Sequence, residues 1–190
     1  MDRRLESYIK VYDDWLYKEA CDQTITEIDS LTWQQHSFYH AGRDEYVAQS
    51  GDQELDVAFD GHTLSTRAYI MQRIWDAFHK YTTDLEFPWF SSWQGYSQVR
   101  FNRYQNNQIM AQHCDHIHTL FDGTRRGIPT MTFLAALNDG YAGGEFVMFD
   151  DLEIQLSKGS AMVFPSCFLY PHHVRPVTQG VRYSCVSWAF

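Results

Sequence analysis

The sequence predicts a mainly β fold, a jelly roll with N-terminal helices packed on one sheet, and two observations carry that prediction. From Gln94 onward the chain breaks into apolar runs of about four to eight residues separated by Gly, Asn, Asp and Pro, as in a sandwich or barrel. Before them, Leu64, Ala68, Met71, Trp75 and Phe78 recur at three- and four-residue spacing, the stripe of an amphipathic helix.

In chain order, Tyr8–Tyr12 alternates and reads as a strand, and Asp13 and Asp14 then offer caps to a helix carrying Leu16, Ala20, Cys21, Ile25 and Ile28. The polar, Gly-containing stretch from Ala41 to His62 reads as loop with at most short strands. Thr63 or Ser65 caps the second helix, which runs to about His79. The strand candidates are Tyr96–Tyr104, Ile109–Asp115, Thr130–Leu137, Glu145–Phe149, Glu153–Leu156, Ser160–Phe164, His172–Val177 and Val181–Trp188. Eight short strands suit a jelly roll. No internal repeat or Pro- or Ser-rich linker interrupts the chain, so residues 1–190 are expected to form one domain, helical support over about 1–95 and the jelly-roll core over about 96–190.

Composition narrows the function classes. The 190 residues carry a formal charge of −9, with 44% hydrophobic and 21% charged residues, which fits a folded chain and argues against a disordered one. An acidic balance repels phosphate backbones, so nucleic acid is not an expected partner, the local basic set Arg125, Arg126 and Arg175 notwithstanding. No run is long enough for a membrane helix, and the start MDRRLESYIK lacks the apolar region of a signal peptide, so a cytoplasmic protein is expected. Cys21, Cys114, Cys167 and Cys185 are scattered without a C-x-x-C pair, which favours reduced thiols over a disulfide framework or zinc knuckle.

The chemistry gathers around His113-Cys114-Asp115. Side chains at i and i+2 of a strand share a face, so this H-x-D triplet projects two ligands together and turns Cys114 away. A third imidazole from a distant strand would complete the two-His, one-carboxylate set that leaves one side of an Fe(II) ion open. His172 is the candidate, and His173 must then face the other way. With nine His and sixteen Asp, an H-x-D triplet arises about once by chance, so its context decides.

That context is ordered: Asn138-Asp139 and Gly143-Gly144-Glu145 follow the triplet, and His172-His173-Val174-Arg175-Pro176-Val177-Thr178-Gln179-Gly180-Val181-Arg182 comes after them. Over about Tyr96 to Phe190 the chain resembles the prolyl 4-hydroxylase-like branch of the 2-oxoglutarate- and Fe(II)-dependent dioxygenases. The resemblance implies a double-stranded β-helix in which His113, Asp115 and His172 bind Fe(II). It implies that Arg182 pairs with the distal carboxylate of 2-oxoglutarate, for which a guanidinium fork is suited, and that Tyr104 hydrogen-bonds the same group. It further implies O2 and 2-oxoglutarate as cosubstrates, ascorbate as an accessory reductant, and hydroxylation of a C–H bond, with a prolyl residue in a peptide or protein as the expected substrate. Asn107 stands where the family often has Gly, Arg182 where many relatives have Lys, and the Arg that often precedes the strand near Thr132 has no counterpart.

Other residues carry weaker expectations. His116 and His118 fall on the face opposite the ligands, Gly143 and Gly144 serve a turn, and Trp188 either walls the cosubstrate pocket or packs in the core. The aromatic segment Phe87–Tyr96 either lines a groove for an extended, proline-containing chain or closes the barrel as a packed loop. The competing classes are a small-molecule or free amino-acid hydroxylase and a non-catalytic, cupin-like metal-binding jelly roll. A halogenase is disfavoured because Asp115 fills the position halide would take.

Overall fold

The computed structural model describes residues 4–40, 45–59, 62–90, 93–115 and 129–190. A 3-10 turn at Leu5–Tyr8 leads into β1 (Lys10–Tyr12) and α1 (Lys18–Ile28). Short strands β2 (Gln34–Gln35), β3 (Phe38–His40), β4 (Glu45–Val47) and β5 (Asp56–Phe59) precede α2 (Arg67–Leu85). Then come β6 (Arg100–Tyr104), β7 (Met110–His113), β8 (Met131–Ala136), β9 (Ala142–Gly143), β10 (Phe146–Met148) and β11 (Leu152–Ile154). The chain closes with β12 (Ala161–Pro165), β13 (His172–Val174), β14 (Val177–Gln179) and β15 (Arg182–Ala189).

The strands form a jelly roll, or double-stranded β-helix. Its large antiparallel sheet has the order β1-β12-β8-β15-β6-β5-β2, and a smaller sheet, β11-β10-β13-β7, packs across it. Period-two alternation divides each central strand of the large sheet between two layers. Phe101 of β6, Phe133 and Ala135 of β8, Val163 of β12 and Cys185 of β15 face the helices, where they pack with Cys21, Ile28, Ile74 and Phe78. Tyr104, Leu134, Met162 and Phe164 face the small sheet and meet Met110, Phe146, Met148 and Val174. The helices therefore cover one face of the large sheet, as the pattern predicts. None of the helices among the described residues is long and apolar enough to cross a membrane.

Three local expectations are corrected. The first helix begins at Lys18 behind Tyr17 with no side-chain cap, because Asp14 sits in a turn at φ +50° and Asp13 accepts a hydrogen bond from Ser160 instead (3.1 Å). The second helix starts behind Thr66, and the cap comes from α1: Glu27 Oε2 accepts from the Thr66 backbone N–H (3.3 Å) and hydroxyl (3.0 Å), while Oε1 takes the Ser65 hydroxyl. Its buried stripe is Ile70, Ile74, Ala77, Phe78 and Tyr81, rotated from the expected one; Ala68 lies outward and Trp75 is 42% exposed. The stretch read as loop with at most short strands holds the short strands β4 and β5, as expected, and β5 is a paired member of the large sheet, with Ala58 opposite Phe101.

Glu27 ties the two helices together. Burial opposes its ionisation, but hydrogen bonds from Ser65, Gln23 and Thr66 outweigh that and hold its carboxyl at about 2, below the ordinary 4.5. A carboxyl depressed on folding contributes stability that is complete above about pH 4.5 and lost as the pH falls toward 2. Partial exposure screens the effect, so Glu27→Gln should cost about 0.5–1.5 kcal/mol at pH 7. Urea denaturation should show the gap between variant and wild type closing over that acid window; a gap independent of pH would refute the cap.

Candidate active site

His113 ends β7 and His172 begins β13, and the antiparallel pairing of these strands sets the two residues directly opposite each other. Their ring centroids are 4.3 Å apart. Asp115 lies two residues past the end of β7, and its Oδ1 is 3.5 Å from His113 Nε2 and 3.8 Å from His172 Nε2. One ligand atom from each residue lies within 4.8 Å of the others, which is the spacing one ion can bridge. His173 points away, opposite Val147 on the neighbouring strand. The structure thus brings together the three residues the sequence singled out.

The donors are oriented by their surroundings. His113 Nδ1 is 2.8 Å from the Ala111 carbonyl and His172 Nδ1 is 3.0 Å from the Tyr170 carbonyl, so each ring uses Nδ1–H locally and turns the Nε2 lone pair inward. His172 is 5% exposed and lies between Phe146, stacked at 5.1 Å, and Phe164, edge-on at 5.2 Å. Burial, reinforced by the nearby His113, lowers its pKa to about 4, so the imidazole is neutral and free to ligate at pH 7. For Asp115, burial pushes the pKa up, but His172, His113 and the Thr132 hydroxyl prevail and hold it well below the usual range. Thr132 Oγ1 donates to Asp115 Oδ2 at 2.7 Å and stands 2.7 Å from Ser166 Oγ.

Arg182 and Tyr104 form the adjoining layer. They are cross-strand partners in β15 and β6, and the Arg182 guanidinium carbon lies 4.8 Å from the Tyr104 ring centroid. Both are buried. Arg182 Nη1 reaches Ser184 at a long 3.4 Å, and its buried Nε has no partner among the described residues. Burial raises the Tyr104 pKa against the opposing charges of Arg182 and Arg100, which keeps the phenol protonated as a donor.

Gly143 and Gly144 are set by close approach as well as by a turn. At φ +71° and +68° they occupy the left-handed region, where a Cβ is strained. A Cβ on Gly143 would stand 2.3 Å from the Pro176 carbonyl oxygen, and one on Gly144 would stand 3.0 Å from Arg182 Cδ. Asn107 takes the left-handed conformation (φ 65°), so the turn expected where relatives have Gly is kept.

Sequence reasoning missed several residues at the site. A narrow cavity of about 20 Å³ is bordered by the three ligand candidates and by Arg100, Asn102, Tyr104, Thr132 and Trp188 among others. Alternation from Tyr104 back through Asn102 to Arg100 was the available signal for two of them. A larger cleft of about 460 Å³ touches Arg182 and Phe146 but none of the three ligand candidates, so the donor set and not the size of the opening marks the site. Trp188 borders the cavity. Phe90, Trp93 and Tyr96 pack against the helix-side core and Trp89 is 66% exposed, so the segment is a packed loop where described. His116, His118, Arg125 and Arg126 lie outside the described residues.

Residues 99–190 match the family model described as the 2OG-Fe(II) oxygenase superfamily, which bears out the resemblance read from the sequence. A PKHD-type hydroxylase of Shewanella oneidensis is 40% identical over 93 residues, a stretch covering 46% of this chain and 40% of that protein. One from Delftia acidovorans is 34% identical over 96 residues, covering 47% of this chain and 41% of the relative. The matched region thus spans well under half the length of these relatives. The fold is similar to that of the viral collagen prolyl hydroxylase of Paramecium Bursaria Chlorella virus-1, determined as its 2OG complex (TM-score 0.68, 16% identity, 96% of this chain and 95% of that one). It is also similar to a Trichoplax adhaerens prolyl hydroxylase in complex with a hypoxia inducible factor peptide fragment (TM-score 0.71, 16% identity, 96% of this chain and 83% of that one).

The glycine geometry predicts graded costs. Gly140 also has a left-handed φ of +83°, but a Cβ there meets nothing within 4 Å. Gly140→Ala should therefore cost only the backbone strain, about 1–2 kcal/mol. Gly143→Ala adds a clash with backbone and should cost about 1–3 kcal/mol more. Equal losses of stability in thermal or urea unfolding would refute the close-approach argument.

Proposed function

We propose that this chain, whose residues 99–190 are a 2OG-Fe(II) oxygenase region, is a 2-oxoglutarate- and Fe(II)-dependent oxygenase hydroxylating a C–H bond, with a prolyl residue of a peptide or protein as substrate. The observation that carries this reading is the inward convergence of two imidazoles, each with its Nε2 turned toward the others, and one carboxylate held ionised. That donor set suits Fe(II), and the buried Arg182 Nε without a partner suits an anionic cosubstrate. The residues present fit both groups.

Iron with 2-oxoglutarate would supply the oxidising power that C–H hydroxylation needs. The chain's own residues do the rest. His113, Asp115 and His172 hold the metal, with the Ala111 and Tyr170 carbonyls fixing ring orientation and Thr132 fixing the carboxylate. Arg182 meets the distal carboxylate of 2-oxoglutarate, and Tyr104 donates to the same group. Phe146, Phe164, Leu134 and Val174 wall the cavity and exclude water from the reacting centre.

The hydroxylase names of the relatives support the reaction class, and the resemblance to the prolyl 4-hydroxylase-like branch supports the prolyl substrate. Four free cysteines support a reducing, cytoplasmic setting. A shared core between the helices and the large sheet supports reading residues 1–190 as one domain.

Replacing His113, Asp115 or His172 by Ala should abolish Fe(II) binding and 2-oxoglutarate-dependent succinate release, while His173→Ala retains both. Metal binding lost in His173→Ala and kept in His172→Ala would overturn the ligand set. Arg182→Ala should weaken 2-oxoglutarate binding by about 2–5 kcal/mol, and Tyr104→Phe by about 0.5–1.5 kcal/mol, in anaerobic titration of the iron-loaded protein. The substrate is tested by mass spectrometry of proline-containing peptides incubated with enzyme, iron, ascorbate and 2-oxoglutarate. A gain of one oxygen on proline supports the reading; succinate release coupled only to free amino acids refutes the peptide substrate and leaves the oxygenase standing.

A further inference from the structure

A second buried guanidinium, that of Arg100, borders the cavity of the three ligand candidates, and the function proposed above gives it no role. Arg100 alternates with Asn102 and Tyr104 on the inner face of β6 and is 9% exposed. Its Nε donates to Asn102 Oδ1 at 3.1 Å, and its guanidinium carbon lies 4.8 Å from the Trp188 ring centroid. These two contacts fix the plane of the fork without neutralising it. Among the described residues no carboxylate pairs with Arg100. Asp115, whose charge reaches it, is committed to Thr132 and the two imidazoles. The buried Glu54 faces His36 at 3.6 Å. Among the described residues, the two terminal nitrogens of Arg100 have no hydrogen-bond acceptor.

Charge balance sharpens the point, and here the argument rests on the proposed function. The two positive charges of the metal and the one on Arg182 cancel the two negative charges of 2-oxoglutarate and the one on Asp115. Arg100 is left over as a buried, oriented cation. Leaving such a charge unpaired is costly, and a fork with both ends free is shaped to meet a carboxylate through two parallel hydrogen bonds. We infer that Arg100 binds a carboxylate of the substrate, and that the substrate class is one with a carboxylate close to the C–H bond to be oxidised. That carboxylate belongs either to an acidic side chain beside the target residue of a peptide or to the target amino acid itself.

Calorimetric titration of the protein loaded with Mn(II) and 2-oxoglutarate, which binds without turning over, tests this with two matched pairs of probes. One pair is L-proline and L-prolinamide; the other is acetyl-glutamyl-prolinamide and acetyl-glutaminyl-prolinamide. In one pair the carboxylate member should bind on the order of tenfold to a hundredfold more tightly than its amide. Preference within the first pair assigns the carboxylate to the target amino acid, and preference within the second assigns it to an acidic neighbour. Arg100→Gln should erase the preference while leaving 2-oxoglutarate affinity unchanged, and Arg100→Lys, which keeps the charge, should retain part of it. Equal binding within both pairs, a preference that survives Arg100→Gln, or a loss of 2-oxoglutarate affinity in that variant would each overturn the inference. A wild-type protein that fails to bind 2-oxoglutarate with metal would instead refute the proposed function and the inference together.

Discussion

The antiparallel pairing of β7 with β13 is the constraint on which the site depends. It sets His113 opposite His172, and a slip of one residue would carry His172 outward and bring His173 in. The third donor depends on the other sheet. Asp115 lies beyond the end of β7 and is held by Thr132 of β8, which in turn meets Ser166 just past β12. The geometry of the candidate ligand set is therefore shared across the sandwich: one sheet aligns the imidazoles and the other fixes the carboxylate.

Such an arrangement places polar groups where a sandwich usually keeps its core. The inner face of the large sheet carries Arg100, Asn102, Tyr104, Thr132 and Arg182, all buried. Apolar burial is divided between the two faces: Phe78, Ile74 and Cys21 pack against Phe101, Phe133 and Cys185 on the outer one, and Leu134, Met162 and Phe164 meet Phe146 and Met148 on the inner one. Burial of a large aromatic there contributes about 1.5–3 kcal/mol. By supplying a second core on the far side of the sheet, the helices add apolar burial behind the polar groups of its inner face.

How much of this was legible follows from where the information lies. The jelly-roll strands were readable because alternation and turn residues are local, and the H-x-D and distal His because their order along the chain is distinctive. The buried face of α2 was misplaced because Met71 and Trp75 are apolar yet only partly buried, Trp75 packing against Trp93 and Tyr96 at the flank. Short strands were expected between Ala41 and His62, but the place of β5 in the large sheet was not legible, since it is decided by pairing with β6. The helix caps failed for a similar reason: Glu27 comes from another helix, and no window around Thr66 contains it. Thr132 was invisible as a site residue because a threonine in an apolar strand is unremarkable until Asp115 is seen beside it.

The two buried guanidiniums show how the inner layer is kept ready for ligands. On β6, Tyr104 and Arg100 stand at opposite ends of one face; on β15, Arg182 pairs with Tyr104, and Trp188 stacks with Arg100. Each cation is thus held against an aromatic ring, at 4.8 Å in both cases. A carboxylate partner would satisfy an arginine fully and remove it from recognition. A ring holds the plane of the fork and lowers the cost of burial through its quadrupole, yet leaves the charge and the outward N–H groups unspent. Aromatic seats in place of acidic ones leave both arginines poised for anions that the described residues do not provide.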